Sequence, residues 1–66
     1  MILLTKLDET KLLVNLESVK FMEATPDTLI FFLNGDTLMV RESLDEVTRR
    51  VVEYKSKLLK HANTAQ

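Results

Sequence analysis

The side chains able to carry chemistry are few and scattered. His61 is the only histidine and there is no cysteine. No second ligand is spaced around His61, so a metal ion would lack a donor set. A surface histidine near a helix end, where positive charge is favoured, is the expected role. Glu23 and Asp27 could be imagined as paired carboxylates. General acid–base work needs a pocket and a perturbed pKa, and the sequence implies neither. Asp27 reads as a turn residue. Ser43 as a nucleophile would need a base, and it already has a helix-capping role. The single glycine, Gly35, is used by a hairpin, so no glycine-rich phosphate loop is available. Arg49, Arg50, Lys55, Lys57 and Lys60 make a mildly basic helix face. Such a face could dock an acidic partner or anionic lipid headgroups, or be simply solvated. Catalytic, cofactor-binding and metal-ligating residues are therefore all expected to be absent, which leaves binding as the mode of action.

The elements that position these residues form one small domain. The chain has 66 residues, of which 45% are hydrophobic. A domain this size buries only ~60% of the surface its unfolded chain exposes. Without a disulfide or metal, self-association is a common source of further stability. The net charge is -1, whereas nucleic-acid binders carry a positive excess on one face. No run approaches the ~20 apolar residues needed to span a bilayer. The opening, Met1-Ile2-Leu3-Leu4-Thr5-Lys6, lacks the charged segment and cleavage site of a signal peptide.

The strands show themselves by alternation. Ile2–Leu7 is a first strand, closed by a turn at Asp8-Glu9-Thr10. Lys11–Leu16 is a second, with Leu12, Val14 and Leu16 on one side. Asn15–Ser18 turns the chain. Val19–Ala24 is a third strand, with Val19 and Phe21 on one face and Lys20 and Met22 on the other. Thr25-Pro26-Asp27-Thr28 turns again, since Pro26 cannot donate to a sheet ladder.

The stretch around which the fold is organised is Thr28–Arg41, a hairpin closed on Asn34-Gly35. A two-residue type I′ turn is expected there. It pairs Leu33 with Asp36, Phe31 with Leu38 and Leu29 with Val40, so these side chains share one face. Ile30, Phe32, Thr37, Met39 and Arg41 then share the other with Thr28. Both faces are apolar at their centre, so both are expected to be covered, and one helix can cover only one.

That helix begins at Ser43. Ser43-Leu44-Asp45-Glu46 matches a capping box. The pairs Asp45–Arg49, Glu46–Arg50 and Glu53–Lys57 lie four apart. Leu44, Val47, Val51, Tyr54 and Leu58 form an apolar stripe, widened by Val52 and Leu59. With His61 the stripe also fits a heptad seam for under three heptads, although packing on the chain's own sheet is the favoured role. A helix from Ser43 to His61 is roughly 28 Å long, enough to overhang the sheet. The expected fold is α+β: a small antiparallel sheet of five strands in hairpins, then one C-terminal helix, with residues 1–61 as the domain and 62–66 as a frayed tail.

Several segments carry a family resemblance: Glu23-Ala24-Thr25-Pro26-Asp27-Thr28, then Asn34-Gly35, then Val40-Arg41-Glu42-Ser43-Leu44-Asp45-Glu46-Val47. The opening Met1–Leu7, Asn15-Leu16 and Val51–Lys55 fit as well. In order and spacing the set resembles the FlbD/SwrD-type family of small bacterial flagellar proteins, over roughly residues 1–58. The resemblance implies a cytoplasmic accessory that supports motility or motor power, at the motor on the inner face of the membrane, with a stator or basal-body protein as partner. Two departures stand out. The family pattern has threonine at the positions of Phe31 and Leu33, and glycine or asparagine near Asp8-Glu9.

The first departure leaves extra apolar surface. Phe31, Leu33 and Leu38, with Ile30 and Met39, are the expected face for self-association or a partner; a core role is the alternative. Leaving a large apolar side chain in water forgoes ~1.5–3 kcal/mol. Arg49, Arg50, Lys57 and Lys60 are the expected basic docking face. A homo-oligomer is anticipated, with no nucleic acid and no small-molecule substrate. An alternative class is a small RNA-binding translational regulator of the carbon-storage type, suggested by the opening residues and strand-rich chain, although that family's basic residues and loop motifs are missing.

Overall fold

A computed structural model describes the backbone of residues 1–64 and the side chains up to residue 59. Strands β1 (Ile2–Thr5) and β2 (Lys11–Val14) form an antiparallel hairpin with Leu3 opposite Leu13. A 3-10 turn over Leu16–Ser18 follows, with the Asn15 side chain accepting from the Glu17 N–H. Strands β3 (Val19–Ala24), β4 (Thr28–Phe32) and β5 (Thr37–Val40) form a second antiparallel sheet in that order. Helix α1 runs from Leu44 to Thr64, about 32 Å. The α+β expectation of five strands and one terminal helix holds, with the strands split into two sheets. The sheets meet at a single bridge, Lys6 to Val40, where the Arg41 N–H donates to the Thr5 carbonyl at 2.8 Å.

Ile2, Leu4, Val14, Ile30, Val40 and Val47 form the buried core. Strand β1 contributes two alternate residues to it and β2, β4 and β5 one each, while Val19 and Met22 of β3 pack against it. Leu4 and Ile2 are buried while Leu3 between them is half exposed. Helix α1 adds Val47, with Val51 and Tyr54 packed beside it. Leu58, Leu59 and Val52 of the expected stripe are all more than half exposed; Val52, between the core-packed Val51 and Tyr54, lies on the side of the helix turned away from the core. The helix continues three residues past the expected end at His61. Ala65 and Gln66 of the expected tail lie outside the described residues.

The central hairpin differs in register from the sequence expectation. Thr28 opposes Val40, Ile30 opposes Leu38 and Phe31 opposes Thr37. The loop has three residues, Leu33-Asn34-Gly35. The Gly35 N–H donates to Phe32 O at 3.0 Å, and the Phe32 N–H to Asp36 O at 2.9 Å. Of these three residues Gly35 alone, at φ +95°, lies in the left-handed region, the pattern of a type I turn closed by a glycine bulge. The Asn34 side chain accepts from the Asp36 N–H and donates to its carboxylate. One residue of slip exchanges the two faces of β5. The two-residue turn would have aimed Arg41 inward beside Ile30. The longer loop instead buries Val40 and turns Met39 and Arg41 away, which avoids desolvating a guanidinium.

Strand β3 also departs from strict alternation. Val19 opposes Phe32 but Phe21 opposes Phe31, so Lys20 is the extra residue of a bulge. Val19 and Met22 therefore face the core, and Phe21 faces out. The first hairpin has the same loop geometry as the central one. The Glu9 N–H donates to Lys6 O at 3.0 Å and the Lys6 N–H to Thr10 O at 2.8 Å. Glu9, at φ 76°, occupies the position that Gly35 fills in the later loop.

Candidate functional site

Two surfaces carry the residues singled out from the sequence. The first is the face of β3-β4-β5 turned away from α1. Phe21 on β3, Leu29 and Phe31 on β4, and Met39 on β5 all point outward, since the core takes their alternate neighbours Met22, Ile30 and Val40. The Phe21 and Phe31 rings pack at 4.5 Å between centroids, tilted by 34°. Such an aromatic cross-strand pair stabilises the sheet beyond its area alone. Leu33 at the hairpin tip is 67% exposed, and Phe21 is 47% exposed. Leu29, Phe31 and Met39 are half-buried by their neighbours. Lys20, from the bulge, places its Nζ 6.0 Å from the Phe21 ring centroid.

Of the five residues expected on one contact face, the fold keeps Phe31 and Met39 on the outward face and leaves Leu33 exposed at the hairpin tip. It turns Ile30 and Leu38 to the opposite side: Ile30 is fully buried and Leu38 packs against the core. The register slip is the reason, as it moves Leu38 inward and Met39 outward. Phe21 was missed as a member of this face because alternation from Val19 carries no sign of the bulge. Thr37 takes the place of Leu38 opposite Phe31, and Met39 the place of Val40 opposite Leu29.

The second surface is the helix face. Arg49 lies between Glu46 and Glu53 and pairs with both. The Glu46 hydrogen bond and charge raise the Arg49 pKa further above its ordinary value. Arg50 is a structural tie. Its Nε donates to Glu46 at 2.8 Å, and its Nη1 donates to the Leu3 carbonyl at 2.8 Å and to Glu42 at 3.1 Å. Hydrogen bonds from Arg49 and Arg50 hold the Glu46 carboxyl at about 2. Two residues of the expected docking face are thus already neutralised. Lys57 is exposed, and the side chain of Lys60 lies outside the described residues. The expected Asp45–Arg49 pair is absent, since Arg49 reaches Glu46 and Glu53 instead. The capping box is half made: Ser43 Oγ accepts from the Glu46 N–H at 3.1 Å, while the Glu46 carboxylate goes to the arginines.

Glu42 joins the two sheets to the helix, a role the sequence did not announce. Its carboxylate accepts from the Thr5 N–H at 2.9 Å, the Thr5 hydroxyl at 2.8 Å and Arg50. The Glu42 carbonyl accepts from the buried Thr28 hydroxyl at 2.7 Å. Burial pushes the Glu42 carboxyl up, but the Thr5 hydrogen bonds and Arg50 outweigh it and leave it below the usual carboxylate range. The only sequence signal was a carboxylate two residues after a core strand residue and just before a helix cap.

Among the described residues the remaining chemistry candidates are not gathered into a site. Ser43 is occupied as a cap. Glu23 points outward opposite Leu29, and Asp27 sits in the β3–β4 loop. Neither lines the grooves of about 420 and 430 Å³ that flank α1. Among the described residues no group of three His, Cys, Asp or Glu side chains is placed to hold a metal ion. The side chain of His61 lies outside the described residues. Among those residues no helix is long and apolar enough to cross a membrane.

A family model described as flagellar and swarming motility proteins, FlbD, matches residues 1–59. Neither a curated protein nor a solved structure showed a match. With nearly the whole length matched, the chain belongs to the FlbD family of flagellar and swarming motility proteins.

Proposed function

We propose that this chain is a non-enzymatic, cytoplasmic flagellar accessory that supports motility or motor power through protein–protein contacts at the inner face of the membrane. A homo-oligomer and a stator or basal-body protein are the contacts it makes. The observation that carries this reading is the outward apolar face of Phe21, Leu29, Phe31, Leu33 and Met39. The chain's one helix lies on the other side of the sheet. A face of this kind gains free energy when a second surface covers it. The basic helix face supports the reading less, because its arginines are engaged within the chain.

The test is a swarming assay in the source bacterium deleted for this gene. Phe21→Ser, on a residue already 47% exposed, should leave the fold intact by circular dichroism yet fail to restore swarming. Lys57→Glu, on the helix face, should restore it. Full swarming by Phe21→Ser and by Leu33→Ser at normal abundance would overturn the assignment of this face. A stator or basal-body protein should cross-link to the wild-type chain and be lost with Phe21→Ser.

A further inference from the structure

We infer that the outer face of β3-β4-β5 is covered by a second copy of this chain, stacked face to face across a two-fold axis that lies between the sheets and perpendicular to their strands. The inference rests on the reading of this face as a protein-contact surface and names its occupant.

Charge complementarity selects the second copy. Along the outer side of β3 the order is Lys20, Phe21, Glu23. The bulge frees Lys20 from the inward position that alternation would give it, and its Nζ stands over the outward Phe21 ring. Glu23 lies two residues beyond Phe21 on the same face, opposite Leu29. A cation and a carboxylate thus flank the aromatic pair about 10 Å apart along the strand. Among the described residues neither has an ion-pair partner. An axis perpendicular to the strands reverses strand direction and keeps strand order. Each Lys20 then falls over the partner's Glu23, and each Glu23 over the partner's Lys20. An isologous interface makes every such contact twice.

The same operation gathers the apolar residues. Phe21 and Phe31 lie beside the axis. Leu29 and Met39, level with Glu23, fall toward the end of the partner sheet that carries its hairpin tip. Sheets stacked this way keep their strands within about 30° of alignment and about 10 Å apart. The face is small: three strands about 4.8 Å apart give a few hundred Å², against ~800 Å² per partner in a standard interface. The dimer is therefore weak, with a Kd on the order of 1–100 μM.

Sedimentation equilibrium of the full chain, from about 1 μM to about 1 mM, tests this at low and high salt. The wild type should pass from the 7.6 kDa monomer to twice that mass, with association weakened by salt. Lys20→Glu and Glu23→Lys alone each set like charges against one another twice. Each should weaken the dimer roughly tenfold or more. The double variant K20E/E23K exchanges the charges and should recover wild-type association within about threefold. Both positions are exposed, so circular dichroism should show all variants folded. A wild type that stays monomeric up to 1 mM overturns the inference. So do single variants that associate like the wild type, or a double variant as weak as the singles. If the dimer fails while Phe21→Ser still abolishes swarming, the face serves a different protein, and the second copy alone is refuted.

Discussion

Glu9 occupies a backbone conformation that glycine holds in the sister hairpin, and replacing it should stabilise the protein. Both loops have three residues and the same pair of closing hydrogen bonds. The third loop residue is left-handed in each, at φ 76° for Glu9 and φ +95° for Gly35. A residue with a Cβ loses about 1–2 kcal/mol there. Glycine removes that cost but forfeits about 0.5–1 kcal/mol of chain entropy. Glu9 also pairs with Arg41, both well exposed, an interaction worth a few tenths of a kcal/mol. Glu9→Gln removes the charge and keeps the Cβ, so it is the correct reference. Glu9→Gly should exceed Glu9→Gln by about 0.5–1 kcal/mol, or roughly 2–8 °C in Tm for a domain this small. Glu9→Asn should also exceed it, because asparagine tolerates the left-handed region. Glu9→Val should fall below the wild type. Urea denaturation with a shared m-value measures the series. The converse lies at Gly35, where an added Cβ would meet nothing within 4 Å. Gly35→Ala therefore tests backbone strain alone, with an expected loss of about 1 kcal/mol. If Glu9→Gly is no more stable than Glu9→Gln, the strain account of this loop is wrong.

Three further outcomes follow from the geometry. The Glu42 carboxyl is lower in the folded chain than in the unfolded one, so its stabilisation is present above about pH 4.5 and fades as pH falls through the lowered folded value. Glu42→Gln should cost about 2 kcal/mol at neutral pH and flatten the acid limb of the stability profile; an unchanged limb would contradict the hub. Glu46 and Asp8 are also lowered, so the variant should flatten the limb in part. Register is tested by a pair of substitutions: Met39→Lys should leave the fold intact, whereas Val40→Lys, at a fully buried site, should unfold the chain by thermal melting, and the reverse pattern would restore the two-residue turn. Ser43→Ala should cost about 1 kcal/mol of stability through loss of the helix cap, measured by urea unfolding.

The elements were legible because each rests on neighbours in the chain. Alternation in Lys11–Val14, proline after Ala24, glycine after Asn34 and Ser43 before the helix are local signals. Together they define five strands, their turns and one helix. The family was legible too, from segments in order. Faces and contacts were not. The slip at Asn34-Gly35 and the bulge at Lys20 each shift pairing by one residue. Neither has a local signature strong enough to choose between registers.

That choice is made by burial across the fold. Val40 displaces Arg41 from the interior, and Val19 and Met22 both reach the core only if Lys20 is extruded. The same long-range demand turns Leu38 in and Phe21 out, and so decides which apolar side chains the chain leaves uncovered. It also gathers Thr5, Glu42 and Arg50, distant in the chain, around one carboxylate. Sequence alone determined which segments extend and which coil, because backbone preference is a property of neighbouring residues. Tertiary structure decided which side of each strand meets water, because desolvating a charge or burying a methyl group is settled only when the sheets and the helix close together.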